Sequence, residues 1–194
     1  MNKAIFLDRD GTLNYDVGYL SEIKDISIFD GVILSLKLFK DSGFLNLIIT
    51  NQSGIARGYF TEADLTVLHD EFRRLFNNDG FPLIDDIFFS PYHAEGKILE
   101  YMKDSKTRKP GTGMIEEAVK KYNIDLSKSY FIGDSLVDMQ CAENAGLKKI
   151  LVKTGYGINT IEKCRELNIK IDFIAEGLPE ASEYILSKIK PKIR

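Results

Sequence analysis

In FLDRDGT, residues 6–12, an apolar run ends in two aspartates one residue apart, with Gly-Thr directly behind them. Carboxylates this close repel each other, and either solvent or a cation must offset the repulsion. Taken singly, the motif is a common turn, because Asp and Gly populate turns for backbone reasons. Three further segments change its weight. TNQSG places Thr50 behind the apolar run 44–49, RKPGTG carries Lys109, and GDSLVD carries Asp134 and Asp138 behind the run 129–132. Brought together, Asp8, Asp10 and Asp134 supply hard oxygen ligands that suit Mg²⁺ and suit soft metals poorly. A divalent cation among them draws in a phosphate and neutralises charge developing on its oxygens. One carboxylate is then a nucleophile for phosphorus, and a second carboxyl protonates the leaving alcohol. Thr50 and Lys109 are donors to the phosphoryl oxygens.

These groups meet only if the elements carrying them are arranged for it. The apolar runs 4–7, 44–49, 84–89, 129–132, 149–152 and 171–174 are short and lack period-two alternation. Such runs suit strands buried on both faces of a parallel sheet. Helical patterns lie between them. Asp30 is positioned to cap a helix from Gly31, and Gly43 to close it after Ser42. Thr61 with Asp64 resembles a capping box ahead of the stripe Leu65, Leu68, Phe72, Leu75 and Phe76. Met114, Ile115, Ala118, Val119 and Tyr122 form a second stripe, and Ile185 with Ile189 a last one. The alternation predicts an α/β fold, Rossmann-like and three-layered, around a central, mainly parallel sheet. Ligands of such sheets bind beyond the carboxyl ends of the strands, where Asp8, Thr50 and Asp134 all fall. Residues 91–110 join a strand to a helix with weak periodicity, and a connection this long is usually functional.

The 194 residues read as a single domain of ordinary soluble composition, with 44% hydrophobic and 28% charged residues. A net charge of −3 leaves no basic footprint for nucleic acid. The basic close KIKPKIR, 188–194, reads as a solvated tail. No run is long enough for a membrane span and no signal peptide is apparent, so a cytoplasmic location is expected, and a monomer. Cys141 and Cys164, far apart in helical segments, are expected as free buried thiols. The chain lacks a P-loop, GTG at 111–113 is a weak dinucleotide signal, and Gly11 rules out an EF-hand loop.

With these residues in view, the sequence resembles the haloacid dehalogenase-like phosphatases, whose four motifs appear as FLDRDGT, IITNQSG, RKPGTGM and FIGDSLVD. Longer matches, among them DGTLNYDVGYL and TNQSGIARGYFTEADL, resemble the D,D-heptose 1,7-bisphosphate phosphatase subfamily from about residue 3 to 180. That subfamily also holds histidinol-phosphate phosphatases, and NQSGIARG looks more like the heptose branch. The resemblance implies that Asp8 is the nucleophile and Asp10 the general acid and then base. It implies Mg²⁺ on the Asp8 side chain, the Asp10 carbonyl and Asp134, and the transferred phosphoryl group on Thr50 and Lys109. Asp16, Gly18, Tyr19, Asn51, Gln52, Ser53 and Arg108 are expected to face a phosphorylated sugar, and Asp138 to orient other groups. No insertion is long enough for a separate cap domain.

Two positions depart from the relatives. Where they often bind structural zinc, this chain has Ser90, Tyr92, Ser105 and Thr107, so no structural zinc is expected. Packing by Tyr92, Ile98, Leu99 and Tyr101 is expected to hold the loop instead. Ser135, also expected among the substrate-binding residues, stands where heptose-type relatives commonly have a lysine, which removes one anion contact. Two non-phosphatase readings compete. A phosphorylatable receiver needs a long-lived acyl phosphate on a later strand and a shorter chain. A non-catalytic phosphosugar-binding protein usually lacks the nucleophile or acid, and both are kept here.

Overall fold

Burial on both faces explains the apolar runs. The computed structural model describes residues 1–189; the tail read over 188–194 lies, from residue 190, outside the described residues. In β1, Lys3–Leu7, side chains alternate between two cores. Ile5 and Leu7 enter one hydrophobic cluster, and Ala4 and Phe6 enter another on the opposite face. Period two is invisible in the sequence because neither face meets water. The other strands of the sheet are β2 (Phe44–Asn51), β5 (Asp86–Ser90), β6 (Tyr130–Gly133), β7 (Lys148–Val152) and β8 (Phe173–Ala175), each within two residues of its predicted run. Their order is β5-β2-β1-β6-β7-β8, with every neighbouring pair parallel.

Among the described residues, six α-helices flank the sheet. On one face α1 (Val32–Asp41) packs against α6 (Leu178–Ile189), beside α2 (Glu62–Leu75). The other face carries α3 (Gly113–Tyr122) and α4 (Leu136–Asn144), and α5 (Gly157–Glu166) covers the β7 end. The Thr61–Asp64 capping box forms at the start of α2. Cys141 and Cys164 are free and buried, on α4 and α5.

Several local expectations need correction. Gly31, with φ +76°, is the N-cap of α1, and no side chain caps it, so Asp30 does not. Ile189 is 38% exposed, because α6 turns its last residue off the core that Ile185 enters. A two-residue hairpin, β3 (Asn77–Asn78) with β4 (Phe81–Pro82), turns through Asp79-Gly80 at positive φ and is additional to the predicted strands. In the connection 91–110, Ile98 and Leu99 are exposed, 42% and 82%, and do little packing. Backbone bonds hold the segment instead: Lys97 and Ile98 both donate N–H to the Ala56 carbonyl, and Gly113 donates to Lys106. Tyr92 and Tyr101 do pair, with ring centroids 6.1 Å apart.

Candidate active site

The registers Leu7↔Ile48 and Leu7↔Ile132 put the ends of β2, β1 and β6 side by side. Asp8 therefore follows β1 within a residue of the level of Thr50, next to last in β2, and of Asp134, directly behind β6. Asp8, Asp134 and Asp138 each offer a carboxylate oxygen within 4.8 Å of the others. Lys109 reaches this group from the long connection. Its Nζ lies 2.5 Å from Asp8 Oδ1 and 2.6 Å from Asp138 Oδ1, and it donates to the Ile49 carbonyl at 2.8 Å.

Burial pushes the Asp8 carboxyl well above the usual range, and the Asp138 and Asp134 charges add to this against the pull of Lys109. Burial and Asp138 push Asp134 up to about 7, although the Tyr156 N–H donates to its Oδ2 at 2.7 Å. Burial disfavours the Lys109 ammonium, yet Asp138 and Asp8 outweigh it and raise its pKa. Gly11 and Gly155, both at positive φ, approach Asp134 so closely that a Cβ on either would collide with its carboxylate.

Asp10 turns to a different set of partners. Arg9 donates from Nε at 3.1 Å to Oδ1 and from Nη2 at 2.8 Å to Oδ2. Asn14 donates to Oδ1 at 2.9 Å, and Gln52 to Oδ2 at 3.1 Å. Burial favours the neutral carboxyl, but the Arg9 charge and these bonds hold the pKa below the ordinary value. The Gln52 amide nitrogen also donates to Thr50 Oγ1 at 2.8 Å, so it bridges Asp10 and Thr50.

The expected substrate-facing residues divide. Tyr19 and Tyr59 are exposed and pair with centroids 4.4 Å apart. Asp16 accepts from the Gly18 N–H at 2.7 Å, so that turn is self-bonded. Asn51 spends both amide ends on the Lys109 backbone, accepting at 3.0 Å and donating at 3.1 Å. Ser53 is half-buried, and its carbonyl accepts from the Arg57 N–H. Arg108 is half-buried and donates to the Tyr92 carbonyl at 3.2 Å. Ser135 is engaged by Asp138, whose Oδ2 accepts from its hydroxyl at 2.5 Å and its N–H at 3.0 Å in the capping box of α4. At the positions of zinc ligands in relatives, Thr107 Oγ1 lies 2.9 Å from Ser105 Oγ and 3.3 Å from Ser90 Oγ. Tyr92 stays outside that hydroxyl cluster, under the Lys103 ammonium.

Sequence reasoning assigns no role to Arg9, Asn14, His69 or the loop behind β7. Arg9 stands in plain sight between the two aspartates, and His69 occupies an apolar-stripe position four residues after Leu65. The run 149–152 reads as a strand, but the loop at its carboxyl end carries no acidic residue to draw attention. Thr154 there donates to the Gly11 carbonyl at 2.6 Å, tying that loop to the one after β1.

Residues 106–181 match the HAD-hydrolase-like family. A relative from Haemophilus ducreyi, named D-glycero-beta-D-manno-heptose-1,7-bisphosphate 7-phosphatase, is 41% identical over 184 residues, 94% of this chain and 98% of its own. An Escherichia coli K12 relative of the same name is 39% identical over 97% of this chain and 96% of its own. The fold is similar to the crystal structure of D,D-heptose 1,7-bisphosphate phosphatase from B. bronchiseptica, complexed with magnesium and phosphate. It matches with a TM-score of 0.83 at 30% identity, covering 96% of this chain and 99% of that one. The chain belongs to the haloacid dehalogenase-like hydrolases, in the branch that holds these heptose-1,7-bisphosphate 7-phosphatases.

Proposed function

We propose that this chain is a Mg²⁺-dependent phosphatase that converts D-glycero-D-manno-heptose 1,7-bisphosphate to the 1-phosphate through a phospho-aspartate. The observation that carries the proposal is the arrangement at the carboxyl ends of three adjacent parallel strands: Asp8, Thr50 and Asp134 fall there, and Lys109 from the long connection and Asp138 from α4 join the carboxylates. The names and coverage of the relatives support the choice of substrate.

The donor set fits a small hard cation. It is all oxygen, it is over-supplied with negative charge, and two glycines keep side-chain bulk away from Asp134. The Asp8 and Asp134 side chains and the Asp10 carbonyl would hold it, with Asp138 close enough to share in it. Mg²⁺ bound there supplies positive charge that offsets repulsion between Asp8 and an anionic phosphoryl group. Hydroxyl groups at Ser90, Ser105 and Thr107 are unsuited to structural zinc, and the reading includes none.

The chain's own groups account for the transfer. An Asp8 oxygen attacks phosphorus as the bond to the sugar oxygen breaks, and Thr50 and Lys109 donate to the phosphoryl oxygens. Asp10 is an anion in the free protein, and a phosphate arriving beside it favours its protonated form. That proton passes to the departing alkoxide. Asp10 then takes a proton from water, which attacks phosphorus, releases inorganic phosphate and restores Asp8. Residues 1–189 act as one domain and the protein as a monomer, with no separate cap among the described residues, so the site stays open to a sugar with a second phosphate.

Purified protein should turn over the heptose bisphosphate with Mg²⁺ and lose that activity in chelator. Equal or faster turnover of histidinol phosphate would replace the substrate. Retained activity after Asp8→Asn would remove the mechanism, because loss of a covalent nucleophile costs about 10³-fold or more.

A further inference from the structure

His69 lies on α2, outside every motif, with its imidazole buried. Its Nε2 is 3.2 Å from Arg9 Nη1. A guanidinium has only donors, so Nε2 must accept, and the ring is neutral with its proton on Nδ1. Burial and the Arg9 and Arg73 charges agree, holding the imidazole pKa down to about 3. Phe72, on the same helix, puts its ring centroid 5.3 Å from Arg9 Cζ. The remaining Nε and Nη2 edge of Arg9 forms the fork to Asp10. The guanidinium is thus fixed on three sides, and the Arg9 side chain is 1% exposed against 20% for Asp10.

We infer that His69, acting through Arg9, is a positioning residue that aims the Asp10 carboxyl at the leaving oxygen. This rests on the acid–base reading of Asp10 given above. A buried ion pair is a weak source of stability, so a packed apolar side chain would serve the core as well as Arg9. What an apolar residue cannot do is fix a carboxyl group that has two soft torsions and a partly open face. Proton donation requires that group within hydrogen-bond reach of the leaving oxygen, so its aim matters to the rate. Asn14 and Gln52 bind the same carboxyl from the loop behind β1 and the loop behind β2. Arg9 is the third anchor of that carboxyl, and His69 backs it from α2.

The test compares kcat/KM for two substrates, since that constant reports every step up to leaving-group departure. The heptose bisphosphate expels an alkoxide that needs Asp10's proton. 4-Nitrophenyl phosphate expels a weakly basic phenolate that does not. His69→Leu removes the acceptor and should lower the alkyl-to-aryl ratio by about 10-fold, the worth of one hydrogen bond. His69→Gln retains an acceptor and should keep the ratio within about 3-fold. Arg9→Lys, which keeps the charge but loses the fork, should lower the ratio like His69→Leu and serves if the leucine variant does not fold. If Asp10→Asn lowers the ratio while His69→Leu and Arg9→Lys leave it unchanged, the positioning role is wrong and the acid role stands. If Asp10→Asn also leaves it unchanged, the acid role fails and the inference falls with it.

Discussion

Three carboxylates and one ammonium meet at the edge of the sheet. Lys109 touches Asp8 and Asp138, whereas Asp134 accepts from the Tyr156 N–H. Burial pushes Asp8 and Asp134 toward protonation, and with all four groups ionised the cluster's excess of two negative charges adds to it. Removing Lys109 deepens the imbalance in a buried place. Lys109→Met should destabilise the protein by about 3 kcal/mol in chelator, measured by urea unfolding, as expected when one partner of a buried pair is lost. Magnesium should recover part of that loss, because a ligand bound only by the folded state stabilises it. A variant as stable as the parent would show that the carboxylates are already neutral. Asp10 is a separate case, held anionic by Arg9, and Asp10→Asn should slow turnover of the sugar phosphate by about 10²-fold or more. A smaller effect in steady-state assays would remove it from proton transfer.

At the scale of elements, the strand ends are legible because each chemical residue terminates a run buried on both faces. Asp8, Thr50 and Asp134 can be placed from pattern alone, and their adjacency results from the order β2-β1-β6. The connection 91–110 is legible only as an anomaly. Its shape depends on backbone bonds to Ala56 and on Asn51, contacts between segments far apart in sequence that no local pattern encodes. Asn51 illustrates the limit. Sequence reasoning turns it toward substrate, while its amide pairs with the N–H and carbonyl of Lys109 and so fixes that residue's backbone. Both bonds are lost in Asn51→Ala, at a cost of about 1 to 3 kcal/mol in urea unfolding. Turnover should fall more than apparent affinity, since Lys109 then loses its fixed place beside Asp8. An increase in KM with unchanged kcat and unchanged stability would return Asn51 to the substrate-facing group.

The whole molecule couples the active-site edge to the core through α2. Leu65, Leu68 and Phe72 form the buried stripe of that helix, continued by Phe76 at its C-cap, and His69 occupies a core position among them. A polar residue in an apolar stripe is the one sequence signal that the core side of the helix does more than pack, and periodicity alone reads past it. Its consequence for global stability has a definite sign. The folded protein holds His69 neutral down to about pH 3, against an ordinary value of 6.5. Between those limits the unfolded chain binds a proton that the folded chain refuses. Folding stability therefore falls as pH drops below 6.5, by up to about 1.4 kcal/mol per pH unit from this group, and rises again as pH returns to neutral. His69→Leu removes the titrating group, so its unfolding midpoint should depend less on pH than the parent's between about pH 6.5 and about pH 4.5. Equal slopes for the two proteins would mean that the imidazole takes up its proton without unfolding, and that the Arg9 contact is not held in acid.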